Sequence, residues 1–503
     1  RPGGVHVSLR ERGGLLAGDG APTDRPHARG HGDHRRRGLH SPAHRLHHDR
    51  PAQSRADPDD PARLAAAPRG QHHRIPLPFA GPSARRRGGR PRDAAAGPCR
   101  LMSGGESGPT AFGFSMATRL VVGPGSLCRL GMLAGELLAG EGVAAAGRRV
   151  LVVSDPGIVA AGHTAAATTA LEEAGFTVAC FDRFGENPST REVEAAAAAA
   201  REFCPDLLVA VGGGSSMDCC KGLNFLVSCG GRMQDYRGRN RATAAMLPSI
   251  AVPTTAGTGS ETQSFALVSD ADTGEKMACG DPRAAFRVAI LDAQLTLTQP
   301  ERVTALTGID AIAHAVESHA STAATPASRV FSREAFALLA THLPRVFADG
   351  CDLEARSRVQ LAAAWAGVAI ENSMLGAAHA MANPLTQFHG IVHGQAVGLA
   401  LPHVVRFNAA AGSEAYRELA GALPGSAPAG RPDDGPATAA ARLADWLERT
   451  LADARLETRL GGLGLGEVDH GPLAAAAAAQ WTGAFNPRPA TIDDFTKLYE
   501  AMR

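Results

Sequence analysis

From residue 118 onward the chain alternates short apolar runs with longer Ala-rich stretches whose apolar positions recur at helical spacing. TRLVVG (118–123) reads as a strand running into a glycine turn, RRVLVVSDPG (148–157) as a buried strand ending in an acid and a turn, and FTVACF (176–181) as a third strand. Residues 160–175 read as a helix, and STREVEAAAAAAREF (189–203) as a helix opened by a serine N-cap. DLLVAVGGGSSMDCCKGLNFLV (206–227) predicts strand, glycine turn and helix, and MLPSIAVPTTAGTGSET (246–262) is a further apolar run entering a Thr/Gly loop. This βαβα order predicts a mostly parallel sheet covered by helices on both faces. Beyond about residue 295 the strand signal stops. QLTLTQPERVTALTGIDAIAHAVESHAS (294–321) opens a series of long helical periodicities that reaches the C-terminus, broken by the Pro/Gly/Ala-rich ALPGSAPAGRPDDGP (422–436). The expected organisation is an α/β domain over 116–294 followed by an all-helical domain over 295–503, without internal repeats.

Charge changes the picture at one end only. The chain has 503 residues, 44% of them hydrophobic, and a formal charge of +1. Residues 1–101 hold 20 Arg against 9 acidic residues and ten of the 19 histidines, with no Lys and no Met. Such a segment buries too little apolar area to offset its backbone entropy. Residues 1–115 are therefore expected to be disordered or an upstream extension, with Met102 or Met116 as the true start. No aromatic interleaving or motif supports a nucleic-acid partner, and no apolar segment of signal-peptide length is present. Nine cysteines without a CxxC pair suit reduced thiols in a cytoplasm. No apolar run reaches the ~20 residues of a membrane span.

VAVGGGSSMDCCK places three glycines between a buried strand and a helix N-terminus. Gly213 and Gly214 let backbone N–H groups approach an anion, Ser215 and Ser216 add hydroxyls, and the helix dipole favours negative charge. The expected ligand is a pyrophosphate, although GxGxxG is absent and a tight turn alone would also use these glycines. In PTTAGTGSE (253–261), Thr254, Thr255 and Thr258 can donate to a cofactor amide or phosphate, or simply build a Ser/Thr turn. Asp155 ends a strand where a carboxylate can take ribose hydroxyls and repel a 2′-phosphate, which points to NAD over NADP; its other reading is an Asx-turn residue before Pro156.

GIDAIAHAVESH puts Asp310 and His314 at i, i+4, on one helix face with Cβ atoms ~6 Å apart. Alone, such a pair is most simply a helix-surface hydrogen bond. His379 and His393, in GAAHAMANPLTQFHGIVHG (376–394), shift the weighting: His379 precedes a helical turn that Pro384 should end, and His393 lies before Gly394, where the backbone is expected to turn. One Asp and three His make a mixed O/N set suited to Fe(II) or Zn(II), with positions left open for substrate.

GGGSSMDCCK, PTTAGTGSE, GIDAIAHAVE and GAAHAMANPL…VHG, in this order and spacing, resemble the iron-containing (group III) alcohol dehydrogenases, from about residue 118 to the final NPRPATIDDFTKLYEAM. The resemblance implies a dehydroquinate synthase-like architecture, an α/β dinucleotide-binding domain followed by an all-helical metal-binding domain. It implies Asp310, His314, His379 and His393 as metal ligands for Fe2+, with Zn2+ accepted by the same set. It also implies that Gly213, Gly214, Ser215, Thr254, Thr255, Thr258 and Lys276 contact NAD. The expected reaction is hydride exchange between NAD(H) and a small alcohol or its aldehyde or ketone, in a homodimer or larger homo-oligomer.

Two departures stand out. The family usually has HxxxHPL, with a second histidine near the nicotinamide, where this chain has Asn383; a carboxamide cannot shuttle a proton as imidazole does. His389 is the alternative carrier, or a loop histidine bonded to backbone. LDAQLT replaces the usual DPxLT, a turn variation. Met374, Phe265 and Phe388 are candidates for an apolar pocket or for core packing. Rival readings are a glycerol-dehydrogenase-like or maleylacetate-reductase-like enzyme on the same fold, and a catalytically silent binding protein.

Overall fold

The computed structural model of the chain describes residues 111–142, 148–426 and 435–503. The expectations for residues 1–110, including a start at Met102, lie outside the described residues, as does 427–434 of the Pro/Gly-rich loop.

The first half is built from β1 (Arg119–Val122), α1 (Leu130–Gly140), β2 (Arg149–Val153), α2 (Pro156–Ala160), α3 (His163–Glu173), β3 (Thr177–Phe181), α4 (Thr190–Phe203), β4 (Leu207–Gly212) and α5 (Gly214–Cys229). It continues through β5 (Gly238–Arg239), β6 (Ser249–Pro253), β7 (Phe265–Ser269), β8 (Lys276–Gly280) and β9 (Val288–Leu291). Six strands form one parallel sheet in the order β1-β9-β6-β4-β2-β3. The central strands β4 and β6 are buried at every residue, which is why they read as unbroken apolar runs, whereas the edge strands β1 and β3 are partly exposed. Within β2 the strand period divides the core: Val150 and Val152 pack with α1 and α3 on one face, Leu151 and Val153 with α4 and α5 on the other. Ser189 opens α4 with a reciprocal capping box to Glu192. Since β2, β4 and β6 are neighbours, the turns after them, at Asp155, Gly213 and Thr254, all emerge along one carboxyl edge of the sheet.

The second half runs α6 (Glu301–Ala320), α7 (Pro326–Ala348), α8 (Leu353–Glu371), α9 (Ala377–His389), α10 (His393–Phe407), α11 (Ser413–Gly421), α12 (Pro436–Asp453), α13 (Gly471–Ala478) and α14 (Ile492–Ala501). Helix α6 is buried on all sides from Thr304 to Ala320 except at Thr307, and α7, α8 and α10 pack around it. Both halves belong to one compact unit, Gly108–Arg503.

Several details differ from the expectations. The helix expected over 160–175 is α3, over 163–173, and a short helix that was not expected, α2, precedes it; the two are separated at Gly162, whose φ of +84° suits glycine. Strands β7, β8 and β9 were not anticipated; β7 and β8 form a hairpin around the Asp-Ala-Asp-Thr-Gly-Glu turn and carry β5 as a separate three-stranded sheet. Pro384 does not end its helix: α9 continues to His389 because the packing of Ala380, Met381 and Leu385 outweighs the one backbone bond a proline removes. The stop comes at Gly390, with φ +66°. Gly394 is likewise no turn but lies inside α10, whose first residue is His393. At the N-terminal side of the expected boundary at 116, Phe114 stacks on Phe331 at 5.4 Å and the Ser115 backbone exchanges hydrogen bonds with Asn372.

Candidate metal centre and cofactor cleft

Asp310 and His314 share one face of α6, one turn apart, and point to where α9 and α10 begin. Asp310 Oδ1 lies 3.4 Å from His314 Nε2, 3.5 Å from His379 Nε2 and 3.8 Å from His393 Nε2. The closest group is Asp310, His314 and His379; His393 stands on the cleft side, partly exposed. Asp310 Oδ1 and His379 Nε2 are buried yet have no hydrogen-bond partner. Two donors each ~2.1 Å from one tetrahedral centre stand about 3.4 Å apart, so these separations fit a shared divalent ion better than they fit hydrogen bonds.

Groups behind the cluster decide which nitrogens face it. His379 Nδ1 donates to Glu317 Oε2 at 2.6 Å, and the same carboxylate accepts the N–H groups of Gly376 and Ala378 at the start of α9. His314 Nδ1 donates to the Gly257 carbonyl at 3.2 Å, in the loop after β6. Both rings therefore turn Nε2 inward, the arrangement of a histidine ligand held by an outer acceptor. His393 arrives because α10 presses on α6 at Gly394, where a Cβ would come within 2.2 Å of the Leu306 carbonyl oxygen.

Charge is unevenly spread over the cluster. Burial favours a neutral Asp310, but the three imidazoles outweigh it and hold the carboxyl well below the usual range. Burial lowers His314, and lowers His393 to about 3. Burial also disfavours charge on His379, but Asp310 on one side and Glu317 on the other raise it to about 9. The Asp310–His379 approach at 3.5 Å is an electrostatic attraction and not a hydrogen bond. Without an ion, His379 is thus the one imidazole of the three that favours a second ring proton, beside an ionised carboxylate.

The four donors open on a cavity of about 650 Å³ that also reaches the carboxyl edge of the sheet. Asp155, Gly213, Gly214 and Ser215 line it, as do Thr255, Thr258 and Lys276. Helix α5 begins at Gly214 without any side-chain cap, leaving its first N–H groups available to an anion. A Cβ at Gly214 would sit 2.8 Å from Thr258 Cγ2, so the glycine lets the two loops touch. Lys276 Nζ donates to Asn187 Oδ1 at 3.1 Å. Asp155 caps α2 through Oδ1, which accepts from Gly157 and Ile158, and its Oδ2 accepts from Ser216 Oγ at 3.3 Å. The turn role weighed for Asp155 is thus present, and the residue still borders the cavity. Two expected contacts are not brought to the cavity wall. Ser216 is buried behind Asp155, and Thr254 is buried with its hydroxyl unpartnered.

Asn383 lines the cavity one turn beyond His379 and donates to Gln480 Oε1 at 2.9 Å. His389, proposed as a substitute proton carrier, is exposed at the end of α9 and away from the cavity. Met374 and Phe265 line the cavity, whereas Phe388 is 51% exposed outside it. Sequence reasoning missed Glu317, although its spacing of seven from Asp310 and three from His314 puts it on the same face of α6. It also missed Gln480, Trp481 and Thr482, which reach the cavity from the far C-terminal segment with no local signal.

A parallel-sheet cleft with a capless helix N-terminus, facing a buried carboxylate–imidazole cluster, is the arrangement of a metal-dependent dehydrogenase. The family model for iron-containing alcohol dehydrogenase matches residues 117–293, and that for the C-terminal part of the Fe-containing alcohol dehydrogenase family matches 304–503. The chain belongs to the iron-containing alcohol dehydrogenase family. It is similar to the NAD-dependent methanol dehydrogenase of Bacillus methanolicus, 33% identical over 353 residues that cover 70% of this chain and 91% of the relative. Among solved structures it is similar to 1,3-propanediol oxidoreductase, with a TM-score of 0.74 and 30% identity over 78% of this chain and 100% of that one. It is also similar to sulfoacetaldehyde reductase from Bifidobacterium kashiwanohense in complex with NAD+, with a TM-score of 0.68 and 27% identity over 78% of this chain and 99% of that one.

Proposed function

We infer that this chain interconverts a small alcohol and its aldehyde or ketone with NAD(H), using a divalent ion, Fe2+ or Zn2+, held by Asp310, His314, His379 and His393. The observation that carries this reading is the convergence of three imidazole nitrogens on one buried carboxylate oxygen, within the cavity that the glycine turn also lines. When bound, the ion supplies Lewis acidity to the substrate oxygen and the nicotinamide accepts or supplies hydride. The chain's own contribution is to orient and exclude. Glu317 and the Gly257 carbonyl fix two imidazoles with Nε2 inward. The uncapped start of α5 favours a pyrophosphate, with Thr255, Thr258 and Lys276 beside it. The Asp155 carboxylate borders the same cleft and disfavours a 2′-phosphate, which supports NAD(H) over NADP(H). Asn383 carries no titratable proton, so it orients and does not relay.

An α/β dinucleotide-binding domain over 116–294, a helical metal-binding domain over 295–503, a cytoplasmic location and a homodimer or larger homo-oligomer belong to the same reading. It is supported by the family and by eight free thiols among the described residues. Among the described residues no helix is long and apolar enough to cross a membrane. The test is metal analysis of anaerobically purified protein together with NADH oxidation on a panel of small aldehydes. We expect one divalent ion per chain, NADH preferred to NADPH, and loss of turnover in Asp310→Asn and His393→Ala with NADH binding retained. Undiminished turnover by metal-stripped His393→Ala protein overturns the reading.

A further inference from the structure

We infer that Asn383 and Gln480 form an uncharged polar subsite that selects small alcohols and aldehydes bearing a second neutral oxygen, a diol or hydroxyaldehyde, over the plain alkyl compound. The inference rests on the alcohol–aldehyde reading above and narrows its substrate class. Asn383 lies on α9 one turn after His379, at a Cβ separation of ~6 Å, the reach of a short diol whose first oxygen faces the cluster. Gln480 precedes the 3-10 turn Trp481–Phe485, which packs on α9 with Gly483 facing Ala380.

The two amides are joined by a single bond, Asn383 Nδ2 to Gln480 Oε1 at 2.9 Å, and neither side chain makes another among the described residues. That leaves one amide oxygen and one amide NH2 without protein partners in a pair that lines the cavity. Flipping both amides exchanges their owners and leaves the same donor–acceptor pair. Thr482, on the same segment and also lining the cavity, is buried with its hydroxyl unpartnered. Unpaired polar groups in a partly dry site favour a ligand that satisfies them. A hydroxyl does so, because it donates and accepts at once. Asn383, Gln480 and Thr482 carry no charge, so a carboxylate or ammonium finds no counter-ion among them. Met374, Leu375 and the Phe265–Trp481 pair, stacked at 6.0 Å, offer apolar contact to the carbon skeleton.

The experiment compares propane-1,3-diol and propane-1,2-diol with propan-1-ol on the metal-loaded enzyme, in the wild type and in the shape-matched variants Gln480→Met, Asn383→Leu and Thr482→Val. Two quantities are read, kcat/KM with NAD+ and the dissociation constant of each alcohol by ligand-observed NMR. One or two hydrogen bonds correspond to a preference of about five- to tenfold for at least one diol in the wild type. That preference should fall to about twofold or less in Gln480→Met or Asn383→Leu, with metal content and melting temperature unchanged. A variant that fails to fold is set aside, and the other two decide. No diol preference in the wild type, or one that survives in every folded variant, overturns the subsite. Absence of turnover with every alcohol would overturn the functional reading, while the dissociation constants would still decide the subsite.

Discussion

Glu317→Gln tests whether the cluster is held from behind. The wild-type carboxylate accepts four N–H groups: His379 Nδ1 at 2.6 Å, Ala378 N at 2.6 Å, Gly376 N at 3.0 Å and, more weakly, His379 N at 3.4 Å. It also sits at the N-terminus of α9, where the helix dipole favours negative charge. A glutamine of the same shape accepts through one oxygen only, and its NH2 group turns toward donors. At least one buried N–H then lacks an acceptor, which costs about 1–3 kcal/mol of folding stability whether or not an ion is bound. Separately, the inward orientation of His379 Nε2 loses its anchor. Changes to such outer partners weaken metal binding about 10–100-fold, or about 1.4–2.7 kcal/mol. The assay is chelator competition for the metal Kd, paired with calorimetry in buffers of different ionisation enthalpy to count protons. In the wild type, His379 raised to about 9 holds a proton at pH 7 that an ion must displace, whereas His314 and His393 are already neutral and Asp310 already ionised. We expect about one proton released per ion at pH 7, with less release as pH rises through about 9. The variant, lacking one of the two carboxylates that raise His379, should release less. A metal Kd within twofold of the wild type and an unchanged proton count would refute this account of Glu317.

The same shift predicts the pH dependence of the metal-free protein. His379 has a folded value raised to about 9 from an ordinary 6.5, so its contribution is complete below pH 6.5 and is lost as pH rises toward 9; melting temperatures of chelator-treated protein should fall over that window, and those of loaded protein should fall less. Gly394→Ala should separate α10 from α6, because its Cβ would meet the Leu306 carbonyl at 2.2 Å. Overpacking of this kind costs about 1–3 kcal/mol, and metal affinity should drop at least tenfold as His393 is displaced, while NADH binding, measured by fluorescence, changes little.

The parts of the fold that could be read in advance are those where local pattern and final burial agree. The strands β2, β4 and β6 are apolar because both sheet faces are covered, and Ser189 caps α4 as its spacing to Glu192 implies. Asp310 and His314 were readable because one helix carries both. The hairpin β7–β8 was not, since its strands are short, mix buried with partly buried residues, and flank a polar turn that resembles a loop. Pro384 misled for a physical reason: proline reports local helix cost, while the burial that outweighs it comes from other elements. Ser216 and Thr254 show the reverse limit, because a hydroxyl next to a glycine turn can face the ligand or the core, and only packing decides. Gln480 and Thr482 are about a hundred residues from Asn383 along the chain and carry no motif, so nothing local joins them to the cleft.

The loop after β6 links the two chemistries. Its threonines 255 and 258 line the cavity, and its Gly257 carbonyl accepts the Nδ1–H that turns His314 toward Asp310. A Cβ at Gly257 would lie 2.4 Å from Thr307 on α6, and one at Gly259 would lie 2.7 Å from Gly367 on α8. The loop therefore has no slack on its helical side, and a displacement of its threonines by a bulky cofactor analogue would move the acceptor behind His314 as well. Cofactor seating and imidazole orientation consequently share one rigid segment. This is why glycine, and not any small residue, is required at 257: the contact that holds the ring and the contact that holds the loop meet at the same backbone.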